Sequence, residues 1–188
     1  MALGLADAGR CVSVRSTVLE PGTRLFGAPG AAPLEVRGSD PNQVLAVWRN
    51  VAVALWVRET QLTAVAAIGA VLAELTSGGR RAALLQIADL GATFPSAEAR
   101  EAITLLLKRH SSSLLASAVV FEAEGFKGAA ARAVVSGIAL MSRLPYPHEI
   151  FASVPAALDW IDRRQPQPGN HRRDQVERAI AQLHERAR

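Results

Sequence analysis

Asp89, Glu122 and Glu124 are the carboxylates best placed to do chemistry, because each follows an apolar run at the point where a strand would give way to a loop. Open α/β sheets form their binding crevices at the carboxyl ends of strands. Charged oxygens converging on such a rim could act as an acid/base pair or hold a divalent ion. No histidine or fourth ligand accompanies them, so solvated loop carboxylates are the simpler expectation. Gly125-Phe126-Lys127-Gly128 ahead of an Ala-rich run offers amide groups and a lysine to an anion, but it lacks the glycine pattern of either nucleotide-binding loop. The histidines at 110, 148, 171 and 184 show no i, i+4 ligand spacing, and His110 reads as a cation near a helix C-terminus. Neither a Ser-His-Asp nor a Cys-His arrangement emerges. Thr93 and Ser96 precede a helical run, where a hydroxyl normally caps the free N–H groups. The expectation is a protein with no catalytic residues, no metal and no cofactor.

The elements that must position these residues alternate from Val44 to Trp160 between short β-branched runs and longer Ala- and Leu-rich runs of helical period. Val44 to Trp48 and Val51 to Val57 flank Arg49-Asn50, the spacing of a tight hairpin with Asn50 at positive φ. Val51, Val53, Leu55 and Val57 share one face of the second run, and Ala52, Ala54 and Trp56 the other, as in a strand covered on both sides. Thr60 then caps a helix to about Leu75, with Leu62, Val65, Gly69 and Leu72 on one stripe, closed by Ser77-Gly78-Gly79. A strand over Ala82 to Ala88 and a helix from Ser96 to about His110 follow. Glu98 and Glu101 near the start of that helix, and Lys108 and Arg109 near its end, complement its dipole. A strand from Leu115 to Phe121, a helix from about Phe126 to Arg143, a strand over His148 to Ala152 and a helix opened by Pro155 complete the series. Trp48, Trp56 and Trp160 are expected in the core.

The chain of 188 residues suits one domain with appendages. Residues 1–41, with repeated Gly and Pro, read as an irregular arm; residues 42–162 form the domain; residues 163–188 form a linker and a basic amphipathic helix from about Arg172, striped by Val176, Ile180 and Leu183. The net charge of +4 belongs to the tail, where seven arginines face three carboxylates, leaving the body neutral. A neutral body points away from nucleic acid except through that tail. A single cysteine, no basic leader ahead of an apolar stretch and no apolar run of about 20 residues point to a cytoplasmic protein without a membrane span.

The order of elements, the Ala88-Asp89-Leu90 turn, the Ser/Thr-bearing loop before the second helix and the ending Phe151-Ala-Ser-Val-Pro-Ala-Ala-Leu-Asp-Trp160-Ile resemble the SpoIIAA-like branch of STAS domains, the fold of anti-sigma-factor antagonists, over about Val44 to Ile161. The resemblance implies an α/β fold with a mixed four- to five-stranded sheet and about four packing helices. It also implies a non-enzymatic module that binds a regulatory kinase or anti-sigma-like protein through the surface from Asp89 to Arg109. Asp89, Thr93, Ser96 and Arg100 then become partner-binding or phosphoswitch positions, since a phosphate at a helix start adds nearly two negative charges beside free N–H groups. Well-known members carry Asp-Ser-Ser or Asp-Ser-Thr followed by Gly, whereas this chain has Phe94-Pro95-Ser96-Ala97. The alternative is a small-molecule or lipid-binding protein with Glu122, Glu124 and Lys127 along a crevice at the strand ends.

Overall fold

A computed structural model of the chain describes residues 18–27, 32–121, 144–165 and 173–187. Among the described residues, seven strands lie in chain order across one sheet: β1 (Arg24–Leu25), β2 (Leu34–Asp40), β3 (Gln43–Trp48), β4 (Val51–Trp56), β5 (Ala82–Ala88), β6 (Leu114–Phe121) and β7 (His148–Phe151). The first four pair antiparallel and the last four parallel, so β4 is the seam of a mixed sheet. The described helices are α1 (Leu62–Thr76), α2 (Ala97–Arg109), α3 (Val154–Asp162) and α4 (Arg173–Ala187).

The α/β class and mixed sheet agree with the sequence pattern, but the expected four to five strands become seven because part of the N-terminal segment joins the sheet. Residues 1–41 are therefore not wholly irregular: Leu34 and Val36 of β2 are buried, and Arg24–Leu25 pairs beyond them. The β2–β3 connection closes through Asp40, whose Oδ1 accepts from the N–H groups of Asn42 at 2.7 Å and Gln43 at 3.1 Å, an Asp-driven turn. At the β3–β4 hairpin Arg49, not Asn50, takes the positive φ of 55°. Thr60 is not the cap of α1; Gln61 flanks the helix and its side chain makes no capping bond.

Alternation along the central strands sends side chains into two apolar layers. Val53, Leu85 and Ala118 are in register on one face, which α3 and α4 cover with Leu158, Ile161, Ile180 and Leu183. Ala52 and Leu84 face the other way, against Val65, Ile68 and Leu72 of α1 and Ile103 and Leu107 of α2. Leu62, expected on the inward stripe of α1, is instead 43% exposed at the helix start. Residues Leu62–Gly79 are apolar and long enough, at a mean hydropathy of 1.5, to meet the compositional test for a membrane span, although Ala64, Val65, Ile68, Val71, Leu72 and Leu75 are buried against the sheet and α2.

The C-terminal helix docks on the body, contacting β1, β2, β3 and α3. Its stripe of Val176, Ala179, Ile180 and Leu183 is buried among Leu25, Leu34 and Val44. All three tryptophans are buried, and Trp160 meets Phe151 edge-on at 5.5 Å. The Arg164 guanidinium lies 3.8 Å from the centre of the Trp160 ring, a stacked cation–π contact. The expected helix over 126–143 lies outside the described residues.

Candidate functional site

Beyond β5 the chain makes a tight turn that stays attached to β4. The Asp89 N–H donates to the Trp56 carbonyl at 2.9 Å, continuing the parallel ladder, and the Ala92 N–H donates back to the Asp89 carbonyl at 2.9 Å. Thr93 then fixes the loop to the end of β4 by donating its N–H to the Arg58 carbonyl at 2.9 Å, with its Oγ1 reaching the same oxygen at 3.5 Å. Gly91 is favoured by closeness: a Cβ there would lie 3.0 Å from the Val57 carbonyl oxygen.

The loop enters α2 through Ser96, whose Oγ accepts the Ala99 N–H at 3.1 Å, so the expected cap is present. Glu98 stands in the first turn and Lys108 and Arg109 in the last, each sign matched to the dipole. Arg100 turns back toward the loop and donates from Nη1 to the Pro95 carbonyl at 3.0 Å. It acts as a brace for the helix entry. His110 ends the helix 8% exposed, and burial first, the Arg109 charge second, hold its pKa below the ordinary 6.5. The neutral imidazole is favoured there, which corrects its reading as a helix-end cation.

The carboxyl ends of β4 and β5 border an open crevice of about 710 Å³ lined by Asn42, Arg58, Glu59, Asp89, Thr93 and Ala187, among others. Asp89 and Thr93 are thus brought together, whereas Ser96 and Arg100 belong to the start of α2 and do not line the crevice. Glu122, Glu124 and Lys127 lie outside the described residues. Among the described residues no three His, Cys, Asp or Glu side chains gather closely enough to hold a metal ion.

Sequence reasoning missed Arg58 and Glu59, although their position just past β4 carried the same signal as Asp89 just past β5. It also missed the exposure of three apolar side chains on the loop and helix: Leu90 at 72%, Phe94 at 51% and Leu105 at 59%. Contiguous exposed apolar side chains mark contact surfaces, and these three belong to one loop-and-helix segment. Compared with known proteins, the chain matches no family model, no curated protein and no solved structure.

Proposed function

We propose that this chain is a non-enzymatic, cytoplasmic regulatory module that binds a protein partner, of the regulatory kinase or anti-sigma type, through the loop and helix from Asp89 to Arg109. The observation that carries the proposal is the exposure of Leu90, Phe94 and Leu105 on that segment. Their burial in a complex would supply a desolvated centre, with the charged ends of α2 as its rim. The SpoIIAA-like resemblance supports the same surface, and the chain-ordered mixed sheet is compatible with it.

Thr93 and Ser96 are both exposed and differ as phosphorylation sites. The Ser96 oxygen already serves the helix as its cap, while Thr93 Oγ1 has only a 3.5 Å contact with the Arg58 carbonyl. A phosphate on Thr93 would enter beside Asp89 and Glu59 on the crevice rim, adding like charge that rearranges the loop or repels an acidic partner.

The test is affinity capture from native extract with the wild-type chain and a Leu90→Ser/Phe94→Ser double variant. A protein retained by the first and lost by the second, at unchanged thermal stability, supports the proposal. Turnover that depends on Asp89 would overturn it. The second reading, a small-molecule or lipid binder, is favoured by the 710 Å³ crevice. It requires a compound that co-purifies and is lost on Arg58→Ala or Asp89→Ala substitution.

A further inference from the structure

Ser117 and His148 are register partners on the parallel strands β6 and β7, so their side chains stand next to each other on one face of the sheet. That face is the one under α1 and α2, because Ser117 is also in register with Leu84, which packs among the helix side chains. Tyr146, two residues before His148, belongs to the same apolar cluster. Ser117 is completely buried and Tyr146 is 6% exposed. Ser117 Oγ, the Tyr146 hydroxyl and both ring nitrogens of His148 are inaccessible and have no hydrogen-bond partner among the described residues. A buried polar atom that has given up water without a replacement weakens the fold, and native proteins keep few of them. Here three lie on register partners of one sheet face, and the fourth belongs to the apolar layer on that same side.

We infer that Ser117, Tyr146 and His148 form an internal polar site that holds a small neutral molecule able both to donate and to accept hydrogen bonds, water being the smallest of that class. Each hydroxyl has a donor and lone pairs, and a neutral imidazole has one donor and one acceptor, so the three residues suit a partner of mixed character. They bring no counter-charge for an ion. Burial reinforces neutrality, pushing the Tyr146 hydroxyl pKa far above its usual range and the His148 imidazole below 6.5. The site lies toward the start of the parallel strands, since Ser117 is level with Leu84, whereas the crevice opens past Ala88 at their other end. It is distinct from the crevice at the carboxyl ends of the strands.

The test uses Ser117→Ala and Tyr146→Phe, each of which removes a single oxygen and leaves the apolar packing intact. If the oxygens hold a bound molecule, each variant lowers the thermal midpoint of the full chain by a few degrees. The double variant then loses less than the sum, because one shared molecule is lost once. If the oxygens are unpartnered, removing them leaves the midpoint unchanged or raises it. A crystal structure of the wild type, with mass spectrometry of its denatured extract, separates the occupants. Ordered density within hydrogen-bond reach with no compound released indicates water; stoichiometric release of a compound indicates an organic occupant. Either supports the inference. Neutral or stabilised variants, an empty site, or one filled by another side chain of the protein would overturn it.

Discussion

Replacing Ser96 separates its role as a helix cap from any role as a switch. Its Oγ accepts the Ala99 N–H at 3.1 Å, and removing such a cap costs about 0.5–2 kcal/mol, typically about 1. For a chain of this size about 1 kcal/mol moves the thermal midpoint by roughly 2–4 °C, so Ser96→Ala is expected to melt about that much lower. Ser96→Asp keeps an acceptor at the same place and adds a negative charge at the positive end of α2. Near an exposed helix start this is worth about 0.3–1 kcal/mol, less where salt screens it. The expected order of midpoints is therefore Asp at or above wild type, and wild type above Ala. Circular dichroism melts at low salt and at about 1 M salt would check both terms: the advantage of Asp shrinks with salt and the deficit of Ala persists. Coincident Ala and wild-type melts, or Asp melting below Ala, would refute the capping argument. The consequence for function is practical. Because the Asp variant keeps its helix, any partner it fails to bind is lost through charge and not through unfolding.

Further outcomes follow from the packing and from His110 and His148. Leu85→Ala, at a fully buried position facing α3 and α4, is expected to cost about 2–5 kcal/mol, read as a lower denaturant midpoint. Leu183→Asp should cost at least about 3 kcal/mol, because it buries an unpaired charge where α4 meets the sheet; Arg178→Ala, which breaks only the exposed 2.9 Å pair with Asp174, should cost no more than about 1 kcal/mol. Equal effects in denaturant titrations would show that the helix is held by charge and not by its apolar stripe. Stability should fall as pH drops below 6.5, because the folded pKa values of His110 and His148 are depressed and the unfolded chain takes up the protons first. The loss is complete once pH is below the folded values. A thermal midpoint that is flat from pH 7 to 5, or that rises on acidification, would contradict this sign; a His148→Gln variant should show the shallower slope.

The parallel half of the sheet was legible because β4, β5 and β6 are apolar on both faces and bounded by glycine or charged turns, a pattern with few alternatives. The edge of the antiparallel half was not. Strand β2 reads LEVRGSD, with only Leu34 and Val36 apolar, and its register shifts between Val36 and Gly38, so no clean alternation reaches the eye. The docking of α4 was hidden for a related reason. Its stripe of Val176, Ile180 and Leu183 has no recognisable partner until β1 to β3 are known to present a bare apolar face. At the hairpin, propensity favoured Asn50 for the left-handed position, but in the two-residue loop between the paired Trp48 and Val51 the first residue, Arg49, takes it. In the crevice, Asp89 could be found from the strand-end rule and Thr93 from its place before a helical run, whereas the exposure of Leu90 and Phe94 runs against the apolar-inside expectation.

The most direct test of the proposed function is hydrogen–deuterium exchange on the full chain, free and in complex with the partner recovered by capture. The expected result is new protection in the peptides spanning residues 89–109, absent when the Leu90→Ser/Phe94→Ser variant is mixed with the same partner. Protection confined to β7, α3 or α4, with residues 89–109 exchanging as in the free chain, would contradict the assignment of the binding face.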